Sequence, residues 1–363
     1  MLCCNGEFFM IYSHKILMGV SRMKRVTIRD VAKAAGVSIT TVSKALNNYP
    51  DVKEQTKRRI QELVQEMDYV PDAAGRSMGG ISEPVVGVLI NDLRPRDPSG
   101  AVYGILSGVC RACREDGVEF LLLTTDLDAQ RQTPLKRLCL RKQLSGLVCS
   151  GFRLTDPYIE QINEIDIPCA CIDIATGNPR VMEVSVDNVR AAEEAVSLLI
   201  DSGRTNIAIV HGGVDADVSN RRIRGYRAAM ERSGLPVPPE RMLNGAFEEA
   251  AARSGALRLL EADPEVDAFF CASDQMALGV CQAIEERGLS IGRDVAVVGF
   301  DDIPTAQYLY GGLTTIRQDF FAMGHAAGHM VCGKVLGLAR PVPAEALLYE
   351  LVVRSSARGR DGD

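Results

Sequence analysis

The run Ser38-Ile39-Thr40-Thr41, followed by Ser43-Lys44, sets four hydroxyls, one branched aliphatic tip and one ammonium group within seven residues. These groups can touch a nucleic-acid duplex. A hydroxyl exchanges a hydrogen bond with a base edge or a phosphate, an aliphatic tip presses on a thymine methyl, and lysine approaches phosphate or guanine. To act together they must share one helix face. Val42 and Leu46 supply the apolar edge of such a helix, leaving Ile39, Thr40, Ser43 and Lys44 outward. Ser38 can cap its start. Upstream, Thr27 and Asp30 have capping-box spacing, and Val31, Ala34 and Ala35 give a preceding helix its apolar face. Gly36 allows the sharp turn between the two helices. This predicts a helix-turn-helix whose second helix can lie in a major groove. An αα-hairpin that binds nothing would show much the same pattern.

A third helix is expected next. Asp51 and Glu54 have capping-box spacing, Ile60, Leu63, Val64 and Met67 repeat at helical period, and Lys57, Arg58 and Arg59 make its early part basic. The charge distribution fits a head that meets phosphates. The chain of 363 residues has a net charge of −6, yet residues 23–78 carry ten Lys and Arg against seven Asp and Glu, while residues 79–363 sum to −10.

Beyond Gly79-Gly80 the pattern alternates. Val85–Ile90, Phe120–Thr124, Gly146–Cys149 and Pro168–Asp173 read as buried parallel strands, with helices near 102–116, 133–143 and 156–165. A second set, Ile207–His211, Val266–Cys271 and Val295–Phe300, is interleaved with helices near 187–202, 219–233, 248–262 and 274–287. These elements suffice for two doubly wound α/β subdomains. A ligand in such folds sits beyond the carboxyl ends of the strands. Topology alone therefore nominates Asn91, Asp92, Asp126, Asp173, His211, Ser273, Asp274, Asp301 and Asp302, some of which will cap helices or turns instead.

Taken together, Thr27 to Gly36, Val37-Ser38, Thr41-Val42-Ser43-Lys44, Leu46-Asn47, Tyr69, Pro71 and Arg76-Ser77 resemble the LacI/GalR (lactose-repressor) family of bacterial transcription factors, and the resemblance runs to about residue 356. It implies an all-α helix-turn-helix headpiece followed by an α/β body like a periplasmic binding protein. The headpiece would span 23–71, a hinge helix and linker 72–82, and an effector-binding and dimerisation domain 83–356, leaving a tail at 357–363. Within the body the N-subdomain would be 83–185 plus 319–338 and the C-subdomain 186–317 plus 342–356. Residues 1–22 are expected to be an upstream start assignment or a disordered arm, a question that the intact mass of the native protein decides.

The resemblance also assigns roles. The DNA-binding set is Thr27, Ser38, Ile39, Thr40, Thr41, Ser43, Lys44, Asn47, Arg76 and Met78. Ile39 and Thr40 fall where the family contacts base edges, while Ser38, Thr41 and Ser43 suit phosphates. Lys44 stands where the family often has arginine, and should discriminate guanine less sharply. Met78, usually leucine, would be a minor-groove wedge. Gly75 replaces the common alanine and should weaken the hinge helix by about 0.5–1 kcal/mol. The effector set is Asn91, Asp92, Asp173, Arg222, Ser273 and Asp301. Carboxylates accept paired hydrogen bonds from vicinal hydroxyls, and a guanidinium donates to hydroxyl or carboxylate oxygens, so a sugar or related polar metabolite is the expected ligand. Leu313 to Asp319 is assigned to hinge structure and dimer packing, and Leu351 to Ser356 to a closing strand. The absence of a leucine-heptad tail favours a homodimer.

Other classes fare less well. No G-x-G-x-x-G follows a strand, no G-x-x-x-x-G-K-[ST] occurs, and there is no G-x-S-x-G elbow, so an enzyme with an appended head lacks its motif. A transport protein would need a signal peptide, which residues 1–22 do not resemble. No run approaches a membrane span. The eleven cysteines lack metal-ligand spacing; several, such as Cys149, Cys169 and Cys171, sit in apolar strand-like runs and read as reduced core residues, which points to a cytoplasmic protein, and Cys110-x-x-Cys113 lies on a helix-like stretch with no partner pair. No cofactor and no metal are expected. A corepressor-dependent regulator sensing a purine is the alternative within regulation, with Tyr103 and Phe152 available for stacking.

Overall fold

The computed structural model describes residues 27–46, 49–67, 69, 83–93, 99–338 and 348–358. Two compact units divide at residues 83 and 84. The expectations for residues 1–22, Asn47, Gly75, Arg76, Met78 and the hinge fall outside the described residues.

The first unit holds α1 (Ile28–Ala35), α2 (Ile39–Leu46) and α3 (Glu54–Glu66) around a small core of Val31, Ala32, Ala35, Val42, Ala45, Val52, Ile60 and Tyr69. Thr27 starts α1: its N–H donates to the Asp30 carboxylate at 2.8 Å and its hydroxyl to the same oxygen at 2.7 Å. Gly36 closes the helix at φ 69, where a side chain would be strained. The buried face of α1 differs by one position from the sequence reading, since Ala32 is buried and Ala34 exposed. Both alanines are equally apolar, so composition could not choose between adjacent positions. The capping box expected at Asp51 and Glu54 is not formed. Asp51 pairs with Lys44 and Glu54 with Lys57, and Lys53 occupies the cap of α3 without a side-chain hydrogen bond.

The second unit contains two sheets. In the first, β1 (Val85–Asn91), β2 (Glu119–Thr125), β3 (Gly146–Ser150), β4 (Cys169–Ile172) and β5 (Val181–Val184) are all parallel, in the order β2-β1-β3-β4-β5. Between them run α4 (Ala101–Glu115), α5 (Leu127–Gln132), α6 (Leu135–Lys142) and α7 (Pro157–Gln161). The second sheet has the order β11-β10-β9-β8-β6-β7, built from β6 (Ile207–His211), β7 (Met242–Asn244), β8 (Ala268–Cys271), β9 (Ala296–Asp301), β10 (Thr314–Gln318) and β11 (Tyr349–Val352). Among the described residues only the β10–β11 pair of this sheet is antiparallel. Its helices are α8 (Asn188–Asp201), α9 (Asp217–Arg232), α10 (Glu249–Ala262) and α11 (Asp274–Glu286).

The chain passes between the sheets more than once. It leaves the first after β5 and enters α8, which packs beneath the second sheet. It returns after β10 as α12 (Phe320–Val335), which packs on α4 and the first sheet. It then comes back to the second sheet as β11. The segment 314–318, read as hinge, is thus a strand of the second sheet. Each sheet has a switch in strand order, between β1 and β3 in one and β6 and β8 in the other, and there the carboxyl ends open a crevice. Cys149, Cys169 and Cys171 are buried free thiols on β3 and β4.

Candidate functional sites

The outward face of α2 begins at Ser38. Its hydroxyl accepts the Thr41 N–H at 3.1 Å and lies 2.8 Å from the Thr41 hydroxyl, so both side chains serve the start of the helix. Ile39 is 43% exposed, an apolar tip left in solvent, and Thr40 is exposed beside it. Lys44 is held by Asp51 in an ion pair, with 43% of its side chain still exposed. The ammonium group beside Asp51 holds that carboxyl below its usual range. Spacing within α2 could not reveal this pairing, because Asp51 lies beyond the helix. Thr27 is turned onto Asp30 and acts as a cap.

In the second unit, the polar residues at the strand ends separate into two groups. One centres on Arg222 of α9. Its guanidinium lies over the Phe300 ring, 3.6 Å from the centroid. Nε donates to the Asn188 side-chain oxygen at 2.8 Å and Nη1 to the Ala272 carbonyl at 2.6 Å, and Asp301 Oδ1 stands 4.0 Å away. Gln318 donates to that same Asp301 oxygen at 2.8 Å, while the buried Gln318 Oε1 accepts no hydrogen bond from any described residue. Burial raises the Asp301 carboxyl to about 8, against the pull of Arg222. Asp173, at the end of β4, accepts from the Ser185 hydroxyl at 2.7 Å, and burial raises it too, opposed by Ser185 and by Arg222. Arg222 is itself biased downward by burial. Asp173, Arg222 and Asp301 thus share one electrostatic environment, drawn from both sheets.

The backbone is strained here. Asp92, Asp173, Asp301 and Asp302 have φ of 49°, 60°, 121° and 55°, a region costly for side-chain-bearing residues. All four sit where a strand ends. Strain of this kind persists when surrounding structure holds it, and it concentrates at ligand sites.

The second group surrounds Asn91 at the β1/β3 switch. Its amide donates to Asp156 at 2.9 Å and to the Gly151 carbonyl at 3.3 Å, and its oxygen accepts from Gln130 at 2.9 Å. Asn91 is therefore spent on fixing the loop after β3, not presented to a ligand, because its amide lies between three fixed partners. Arg153 of that loop pairs with Asp215 across the crevice, and the Leu154 N–H donates to the Asp215 carbonyl at 2.8 Å. Two more bridges span the subdomains: the Ala175 N–H donates to Asp217 at 2.9 Å, and Arg221 pairs with Glu183 at 2.5 Å.

Other nominated residues have structural duties. Asp126 caps α5 through the Ala129 N–H, and Ser273 caps α11 through the Met276 N–H while staying buried. Asp274 is fully buried, accepts from the Thr315 hydroxyl and the Ile303 N–H, and is raised by burial to about 6. Asp302 binds Arg317 and Arg354, and His211 accepts the Gly213 N–H. Asp92 is exposed at the end of β1. Phe152 is buried against Tyr158, and Tyr103 is 78% exposed on α4, so neither ring is set over the Arg222 group. The sequence reading missed Ser185, Asn188, Phe300 and Gln318. A neutral amide after a run of strand residues carries no motif; only the topology that brings β10 beside β9 exposes it.

A small helical head with a helix-turn-helix, joined in sequence to two largely parallel sheets, defines the class of a DNA-binding regulator with a body like a periplasmic binding protein. Known proteins agree. Residues 27–72 match the model of bacterial regulatory proteins of the lacI family, and residues 196–357 match a periplasmic binding protein-like domain. Catabolite control protein A of Priestia megaterium is 30% identical over 304 residues, covering 83% of this chain and 90% of that protein. The regulator DegA of Bacillus subtilis is 30% identical, covering 92% and 98%, and the repressor PurR of Aliivibrio fischeri is 29% identical, covering 92% and 99%. Among solved structures, the lac repressor dimer bound to operator superposes with a TM-score of 0.76 at 24% identity, covering 93% of this chain and 100% of that one. The CelR–cellobiose complex gives 0.67 at 26% identity, covering 92% and 100%. The chain belongs to the lacI family of bacterial regulatory proteins, and is a helix-turn-helix transcriptional regulator.

Proposed function

We propose that this protein is a cytoplasmic repressor that binds a palindromic operator as a homodimer and is controlled by a polyhydroxylated ligand, a sugar or sugar derivative, held between the two subdomains. One short helix reads too few base pairs for useful discrimination, so two heads related by a two-fold axis must cooperate. Ile39 and Thr40 read base edges. Ser38, Thr41 and Ser43 position the head on phosphates, and Lys44 joins them once released from Asp51. Asn47, Arg76 and Met78 belong to the same reading through the family resemblance.

The observation that carries the ligand class is the convergence of Asp173, Arg222, Asp301 and the half-satisfied Gln318 amide. Carboxylates and an amide oxygen accept from hydroxyls, and Arg222 donates in return. Asp92 lies at the rim, and Ser273 and Asn91 act through the loops they fix. A named relative of this fold binds cellobiose. The purine reading has its own support in the PurR relatives, and purine bases belong in any ligand screen. Ligand closure would move one sheet against the other through the crossovers, and the coupling to DNA can have either sign.

Selection of short duplexes by the full chain, at two salt concentrations, tests this reading. A palindromic winner that Thr40→Ala weakens supports it. Binding that is only salt-sensitive and blind to sequence would refute base reading by α2.

A further inference from the structure

Away from the crevice, α4 and α12 cross at backbone contact. A Cβ on Gly108 would lie 2.2 Å from the Phe321 carbonyl oxygen and 2.6 Å from the His325 nitrogen. One on Gly324 would lie 2.3 Å from the Ile105 carbonyl oxygen, and one on Gly328 would lie 2.7 Å from the Ala112 Cβ. Any larger residue would push the helices apart, so the crossing is fixed closely. It delivers three donors to one place. His325 and His329, one turn apart on α12, stand with ring centroids 4.4 Å apart and planes nearly perpendicular. Glu115, the last residue of α4, sets Oε2 2.9 Å from His325 Nε2 and 3.1 Å from His329 Nε2.

The surroundings orient these groups as they would around an ion. Asp116 Oδ2 lies 3.1 Å from His329 Nδ1. A proton held there by the carboxylate leaves the Nε2 lone pair aimed at the cluster, the usual outer-shell arrangement for a ligating histidine. The other Glu115 oxygen accepts from Arg111 Nε at 2.5 Å, which fixes the carboxylate. The three ligand atoms lie within 4.8 Å of one another. Their side chains are 26%, 21% and 35% exposed, so an ion can enter from solvent. The C-terminal end of α4 adds a negative dipole that favours a cation.

We propose that Glu115, His325 and His329 bind one divalent transition-metal ion of the zinc type, clamping α4 to α12. Two imidazole nitrogens and one carboxylate oxygen form a three-ligand set that leaves further positions to water. The ion takes the place of the proton that each histidine–glutamate hydrogen bond uses now. The cysteine pattern predicts no metal site, and the missed signal was the H-x-x-x-H spacing on α12, legible only once Glu115 is known to face it.

The test is titration of the metal-stripped full chain with Zn2+ against a chelating indicator, and with Co2+ followed by absorption. Expected are saturable binding of one ion per chain and a Co2+ spectrum without thiolate charge-transfer bands. Asp116→Asn should weaken binding by about 10–100-fold, and His325→Ala or His329→Ala by more. Both histidines are partly exposed, so these variants should fold, and circular dichroism checks it. No saturable binding, a thiolate band, or affinity unchanged in His329→Ala would overturn the proposal.

Discussion

The reading face of α2 and the crevice around Arg222 both have polar groups meant for another molecule, but they hold them in opposite ways. On α2 the groups are exposed and engaged with each other through weak, reversible contacts: Ser38 with Thr41, Lys44 with Asp51. In the crevice they are buried, one over an aromatic ring, two on strained backbone. The first arrangement suits a surface that must exchange partners with DNA and let go. The second suits a site that must discriminate, because a buried polar group left without its partner is expensive. The teaching is that affinity for DNA can be assembled from residues near in sequence, while a ligand site needs the fold.

The sharpest way to break that contrast is to remove Arg222. Arg222→Ala removes the hydrogen bonds to Asn188 and Ala272 and the contact with Phe300, and takes away the cation that opposes the upward push on both carboxyls, so the second unit should lose about 3 kcal/mol of stability. Denaturant unfolding measures it, and a loss under 1 kcal/mol would show that the carboxyls do not depend on it.

Next comes pH. Asp301 has an ordinary value of 3.8 and is raised to about 8 in the folded protein by burial. Below about pH 4 it is protonated in both states and contributes nothing. Between about 4 and 8 the unfolded chain releases the proton that the folded chain retains, so this residue lowers stability progressively as pH rises, and the penalty levels above 8. Asp301→Asn should flatten that part of the stability–pH curve; parallel curves for variant and wild type would contradict the assignment.

On the head the effects are smaller. Thr40→Ala should cost about 1–3 kcal/mol of operator binding and relax specificity at the contacted base pair. Asp51→Asn should release Lys44 to the phosphates, raising affinity modestly and steepening the log–log salt dependence by about one contact per head. An unchanged slope would mean that Lys44 does not reach DNA.

The same contrast explains what was legible in the sequence. The helix-turn-helix is local: caps, a turn glycine and apolar spacing specify it, with an error of one position at Ala32 and Ala34. The long buried strands announced themselves by apolar runs. The short edge strands β5 and β7 did not, having four and three residues. Helix α12 was missed because its sequence, FFAMGHAAGHMVCGKV, is apolar or small nearly all round and has no clear polar face. β10 was read as a hinge because it sits beside a crossover. In the site, Asp173, Arg222 and Asp301 came from strand ends and family resemblance. Asn91 and Ser273 were nominated by position but hold loops and helix starts. Gln318 could not be found without the neighbour relation of β9 and β10.

The central claim is that the Arg222 crevice senses a ligand and passes its occupancy to the head. Its most direct test is the affinity of the full chain for its selected duplex, measured by fluorescence anisotropy against a panel of sugars and purine bases. The account predicts that at least one sugar shifts operator affinity by about 5-fold or more in the wild type and leaves Asp301→Asn unmoved. A shift of equal size in Asp301→Asn, or no shift with any sugar, would contradict it.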